Sequence, residues 1–302
     1  MYELINTTLI GITSGSIYAL MAIAIVLVWR STRIVNFAQA GMALLSTYLG
    51  YEFIRIFHSF WIALPLAMVA GALVAALIDL VFMRLLVKHA SQGPIAAVAP
   101  IIATLGLLGV IRAFISFFWG NQDLAIDSPI SNVGYTVGTH TLAISPLKLA
   151  ILIASLALMG VLTLLFQRTN LGLALRASAF APEISRLAGV RVDGVRTLGW
   201  ALAGAAGAAA GMLQTPNGTG TLSPDSIEFS LLLVFGFIAA VIGGLESLLG
   251  AVLGGLILGL VLAFVLTYIS GSLVFITGFV LLIVVLIALP RGIIGAKGAR
   301  RA

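Results

Sequence analysis

Apolar runs of about twenty residues recur along the chain, separated by short polar stretches. They fall near 4–28, 36–56, 60–83, 94–118, 147–166, 195–213, 228–245, 247–269 and 272–289. Each is long enough to cross about 30 Å of hydrocarbon as a helix. Two need interpretation. The run at 36–56 opens with Asn36, Gln39 and Gly41 inside "NFAQAG", and 228–269 is about two spans long, so it divides at "GGLES", 243–247. The pattern predicts an all-α polytopic membrane protein of about nine spans (eight to ten), forming one helical bundle over 1–302. Two intervening segments are long. The loop 119–146 mixes polar and β-branched residues and suits a short hairpin, and 167–194 is rich in arginine.

Composition agrees with this class. The chain has 302 residues, 61% of them hydrophobic and 9% charged, with mean hydropathy +1.19; a soluble domain carries about 25% charged residues. The net charge of +6 does not imply nucleic acid, because the basic residues follow the loops. With the N-terminus outside and the C-terminus inside, all 16 Lys and Arg except Arg55, Arg112 and Lys148 lie on inner segments, whereas Glu3, Glu52, Asp123, Asp127, Asp225 and Glu228 lie outside. Cytoplasmic loops carry the Lys/Arg excess, and the basic rim would also meet anionic membrane lipid. No cleavable leader is expected, because "MYELINTTL" has no basic region before the first run. The chain has no cysteine, which excludes disulfides, thiolate metal sites and thiol nucleophiles.

The catalytic and cofactor motifs are missing. None of Lys88, Lys148 and Lys297 lies in a nucleotide-binding loop, so no cofactor, metal or catalytic residue is expected on this chain. His58, His89 and His140 lie near membrane ends or in loops. Asp79 and Arg84, near the inner end of the third run, are expected to pair locally or snorkel, and Arg112 to reach the headgroups. No carboxylate sits near mid-membrane, which disfavours an ion-coupled transporter. Small-xxx-small spacing in the glycine-rich runs (Gly207/Gly211, Gly250/Gly254 and Gly255/Gly259), with Gly243 and Gly244 at the turn, predicts close helix packing. Glu246 is expected to cap the following helix or to meet a partner's arginine.

In the inner loop, "APEISRLAGV" (181–190) reads as a surface helix of about seven residues, roughly 10 Å long. Pro182 suits its first turn, Glu183 its positive end and Arg186 its negative end, and Gly189 stops it. Ile184, Leu187 and Ala188 make one apolar face, for the bundle or for a partner. At the other polar stretch, Asn36 could cap a helix, or Asn36 and Gln39, three apart and on one face, could line a pathway with Gly41. The polar breaks at 29–41 and 214–226 fall on opposite sides, the arrangement of an inverted pseudo-repeat.

Three motifs carry a resemblance. "GSIYAL" (15–20) followed by "NFAQAG" (36–41), "EISRLAGV" (183–190) and "AAVIGGLESLLGAVLGGLILG" (239–259) resemble the LivH-type permeases of branched-chain amino acid ABC importers, within the branch that includes ribose permeases. The likeness runs from about 9 to 290. Glu246 stands where that family usually has Gly, and Gln39-Ala40-Gly41-Met42 where it often has His and then Gly-Glu. The resemblance implies a bacterial or archaeal cytoplasmic-membrane permease subunit without enzymatic activity. It implies as partners a second permease (LivM-like, or a second copy), an external solute-binding protein and two ATPase subunits that use ATP and magnesium. On it, Pro182, Glu183, Arg186, Leu187 and Gly189 form the ATPase-coupling helix, and Ser16, Tyr18, Asn36, Gln39 and Gly41 are pathway candidates. The substrate class would be branched-chain or other hydrophobic amino acids, or related small solutes. An ion-coupled secondary transporter or facilitator of small solutes is the alternative, and a non-transporting scaffold a third reading.

Overall fold

From Ile17 to Val28 the first helix is apolar on every side, and a helix of that kind has to be surrounded. In a computed structural model of the chain, which describes residues 2–89, 98–137 and 140–294, this is the outcome. Helix α1 (Tyr2–Thr32, 31 residues, about 46 Å) is the axis of the bundle. Every residue from Ile17 to Val28 except Tyr18 is buried. It packs against α11 (Leu248–Tyr268), α9 (Val192–Asn217), α10 (Ile227–Gly243) and α6 (Pro146–Arg168). Outside these lie α2 (Gln39–Phe57), α3 (Phe60–Ile78), α5 (Ala99–Trp119) and α12 (Val274–Ala288). The outer faces of α3, α5, α6 and α12 show Leu73, Leu77, Val110, Phe117, Ile153, Leu164, Ile283 and Ile287, as a surface against acyl chains would.

Each of the nine predicted runs falls on a helix, although residues 94–97 of the fourth lie outside the described residues. Among the described residues six helices are long and apolar enough to cross a membrane: Tyr2–Thr32, Phe60–Leu86, Ala99–Trp119, Pro146–Arg168, Leu248–Tyr268 and Gly271–Ala288. Helix α10 is apolar but shorter, and α2 and α9 carry more small and polar residues. The chain is a polytopic, mainly helical membrane protein. Helix α3 continues through a π-helical turn, Asp79–Met83, into α4 (Arg84–His89).

Lipid gives helices no hydrophobic drive to associate, so close backbone contact must supply it. A methyl at Gly259 would stand 2.3 Å from Gly15 Cα, and one at Gly204 would stand 2.2 Å from Gly71 O. These two crossings join α1 to α11 and α3 to α9. In the same way Gly254 meets Ala239 O, Gly243 and Gly250 oppose each other across the α10–α11 turn, and Gly211 lies against Thr47. Gly244 ends α10 at φ 97°, a conformation glycine adopts without a steric penalty.

The polar groups collect at two ends. One end holds the α1–α2 break, α4, α7 (Asn170–Phe180), α8 (Pro182–Leu187) and the α10–α11 turn, tied together by Arg33 with Glu246, Arg84 with Thr197 and Arg186 with Asp193. At the other end Asn6 bonds the backbone at Thr141 and Ala143, and Trp119 donates to Glu52. There, β1 (Leu124–Ala125) pairs antiparallel with β4 (Thr221–Leu222), and β2 (Thr136–Val137) with β3 (His140–Thr141). The second pair is the hairpin expected in 119–146. The first, joining two distant loops, has no local signal.

Three expectations are corrected. Glu246 does not cap α11; the Ser247 side chain does, accepting from Gly250 N at 2.9 Å, and Glu246 pairs with Arg33. Arg112 does not run out to headgroups; its guanidinium donates to Ser230 Oγ at 2.8 Å, bridging α5 to α10. The helix before the second break continues through Pro216 to Asn217, four residues past the predicted end of that run at 213.

Candidate functional site

The α1–α2 break is built by two amides. Arg33 turns the chain at φ 57° after α1 ends. Asn36, 1% exposed, then accepts the Ala38 N–H on its Oδ1 at 3.0 Å. Ala38, not Asn36, is the N-cap of α2, so the asparagine shapes the turn one step before the helix. The Asn36 amide donates to Gln39 Oε1 at 3.3 Å, and Gln39 donates to Ala203 O on α9 at 3.0 Å. Gly207 makes room for this clamp: a methyl there would stand 2.4 Å from Gln39 Nε2. Burial without water makes every unpaired polar group costly, and the pair answers that by satisfying each other and the α9 backbone.

Neither amide faces lipid, and their surroundings differ. Asn36 lines a cavity of about 240 Å³ with Ile25, Val35, Phe37, Leu233, Phe237 and Phe279 among its walls. A second cavity of about 480 Å³ shares Phe237 and Leu282 with it and opens at the polar end beside Trp29, Glu246 and Arg291. Together they make an apolar groove between α10 and α12 with one amide in its wall and two opposite charges at its mouth. Gln39 lies outside both cavities. Gly41 packs on Leu108 and Ile111 of α5, and the Ser16 hydroxyl donates to Thr13 O within α1. Tyr18 meets Phe235 at a tilt of 52°, ring centroids 5.2 Å apart, and Phe235 stacks on Phe275 at 6.0 Å, which extends the aromatic wall. The five pathway candidates therefore do not form one cluster. The aromatics of α10 and α12 were not singled out by sequence, since Phe in an apolar run gives no local sign of lining a space.

The second feature is α8. Thr169 caps α7 by accepting from Gly172 N, and Ala181 separates α7 from α8. Pro182 stands in the first turn with Glu183, Arg186 in the last, and Gly189 follows at φ 83°. The helix is six residues long, and its buried side chain is Ser185, not the apolar face. Ile184 is 69% exposed, Leu187 90% and the nearby Phe180 89%. Of the two settings expected for this face, the bundle or a partner, the bundle is corrected: the face points away from it. Arg186 and Arg191 flank it in the open, whereas Arg176 lies over the Phe166 ring, 6.0 Å from its centroid.

Between these features sits Asp79, fully buried, at ion-pair distance from Arg196 and Arg84. Among the described residues no group of three or more His, Cys, Asp and Glu is placed to hold a metal ion.

Residues 7–289 match the family described as branched-chain amino acid transport system / permease component. The chain is 29% identical, over 94% of its length and 93% of the relative's, to the high-affinity branched-chain amino acid transport system permease protein LivH of Escherichia coli K12. It is 28% identical to the corresponding permease protein BraD of Pseudomonas aeruginosa, over 98% and 97% of the two chains. To the probable LivH permease of Methanocaldococcus jannaschii it is 29% identical, over 80% and 74%. No solved structure matches the chain.

Proposed function

The chain belongs to the branched-chain amino acid transport-system permease family, a permease subunit of an importer and not an enzyme; from that premise we propose that it is the membrane path of an ATP-driven, binding-protein-dependent importer of branched-chain or similar hydrophobic amino acids in a bacterial or archaeal cytoplasmic membrane. The observation that carries this reading is the outward-facing apolar side of α8. Phe180, at the end of α7, and Ile184 and Leu187 of α8 are exposed beside Arg186 and Arg191, and α8 is too short to be stable alone. A compact apolar patch with a polar rim is the form of a protein interface. An ATPase subunit would cover it, and ATP and magnesium would bind there and not on this chain.

The remaining assignments follow from that one. The chain crosses the membrane nine times with α8 inside and the β1–β4 pair outside, where a binding protein docks. The two breaks, 33–38 and 218–226, occupy corresponding places in two inverted halves. Substrate passes beside Asn36 along the aromatic groove, whose apolar walls accept a branched side chain and whose amide offers the α-carboxylate or ammonium a hydrogen bond. A second permease subunit, a related chain or another copy, closes the path.

The test is uptake of radiolabelled L-leucine into proteoliposomes holding the chain with its second permease and ATPase subunits, with binding protein outside. Uptake requires ATP and the binding protein. Accumulation by the chain alone under a proton or sodium gradient, without ATP, would establish the ion-coupled alternative instead.

A further inference from the structure

We propose that Asp79 is a positioning residue of the transport cycle, holding the first turns of α9 to the inner end of α3 so that a displacement of α8 becomes a displacement of the bundle. The inference rests on the importer reading above.

The placement starts from the sequence of α3. Its residues at four-residue spacing, Ala67, Gly71 and Ala75, are small and buried, and Gly71 and Ala75 lie against Gly204 of α9. The next position on that row is Asp79, a full carboxylate where the spacing calls for another small residue, and it is 0% exposed. An ionised carboxylate in such a place is costly unless it is paired. Among the described residues it is paired only with α9 and α4: Arg196 Nε stands 3.1 Å from Oδ1, Arg84 Nε 3.8 Å from Oδ2, and the Thr197 hydroxyl lies 2.7 Å from Oδ2. The chain also leaves α-helical geometry there. Asp79 begins the π turn, with Arg84 N donating to Asp79 O, and single π turns inside helices are frequent at functional sites.

The contacts continue outward to the coupling loop. Arg84 donates through Nη2 to both Thr197 Oγ1 at 2.8 Å and Asp193 O at 3.0 Å. The Asp193 carboxylate faces Arg186 of α8 at 3.5 Å. A chain of polar contacts thus runs from the exposed helix to a buried carboxylate in the wall of the bundle.

This network has room for a second arrangement. Thr197 has one hydroxyl proton and two acceptors, Asp79 Oδ2 and Asp193 O, the latter at 3.1 Å. Asp79 Oδ1, Arg84 Nε, and Arg196 Nε and Nη2 are buried without a hydrogen bond of good geometry. A purely structural ion pair is stabilised by completing its bonds. A partly completed one, at the base of the loop a partner would push, can exchange them when α9 shifts.

The experiment compares wild type, Asp79→Asn, Asp79→Glu and the double variant Asp79→Asn/Arg196→Gln, each in the assembled complex with its ATPase subunits and binding protein in proteoliposomes. It measures complex assembly, ATP hydrolysis and L-leucine uptake separately. Asp79→Asn is expected to retain the ATPase subunits and their hydrolysis while uptake per ATP falls roughly tenfold, the scale of an ordinary coupling energy. Asp79→Glu is expected to recover part of that ratio. If Asp79→Asn does not assemble, the double variant, which removes the closer pair and leaves the part-exposed Arg84 on Thr197 and Asp193 O, carries the test with the same expected loss. Unchanged uptake per ATP in an assembled variant overturns the proposal. So does a double variant that fails to assemble, which would make the pair structural only. A wild-type complex with no ATP-dependent uptake overturns the importer reading and this inference with it, an outcome told apart by the wild-type control.

Discussion

The amides at the α1–α2 break divide their labour, and substitution should separate them. Gln39 reaches Ala203 O and touches no cavity, so Gln39→Leu should cost about 1 kcal/mol, the size of an interhelical hydrogen bond in a membrane protein. Denaturation in mixed micelles measures this, and uptake by the variant that folds should be near normal. Asn36→Ala should lose a similar amount of stability but lower leucine uptake further, because Asn36 also stands in the cavity wall. Equal transport defects at equal stability would remove Asn36 from the path. The Arg33–Glu246 pair is about half exposed on both sides, so Glu246→Gln should change stability by no more than about 1 kcal/mol. Gly15→Val is the opposite case. Its side chain would meet Gly255 O and Leu256 Cα, and overpacking of about 3 kcal/mol or more should show as loss of folded protein on size exclusion.

Among the elements, α8 shows how pattern and placement differ. Its caps and length were legible from Pro182, Glu183, Arg186 and Gly189, each of which acts within one turn of backbone. The direction of its apolar face was not, because a six-residue helix takes its orientation from the segments that hold it. Since Ile184 and Leu187 bury little in this chain, Ile184→Asp with Leu187→Asp should leave the thermal stability of the isolated chain within about 0.5 kcal/mol. The same change should abolish co-purification of the ATPase subunits. Retention of those subunits would place the docking surface elsewhere.

For the whole molecule, the proposed orientation can be read directly because the chain has no cysteine. Ser128→Cys, exposed beside β1, should react with a membrane-impermeant maleimide in intact cells. Arg191→Cys, exposed after α8, should react only after permeabilisation. The reverse pattern would invert the topology and put α8 out of reach of any ATPase.

The amino-acid sequence determined by itself which segments are helical and apolar and which loops carry the positive charge. Those properties come from side-chain transfer free energy and from backbone preferences acting over a few residues. Only the tertiary structure decided that Glu246 meets Arg33, that Arg112 turns inward to Ser230, that Gly15 faces Gly259, and that Asp79 is caught between Arg196 and Thr197. Each of these pairs residues at least 117 positions apart, and in an environment where the spanning helices are apolar, hydrophobicity does not say which faces meet. Glycine contacts and a few buried hydrogen bonds select the partners, and these exist only once the helices are side by side.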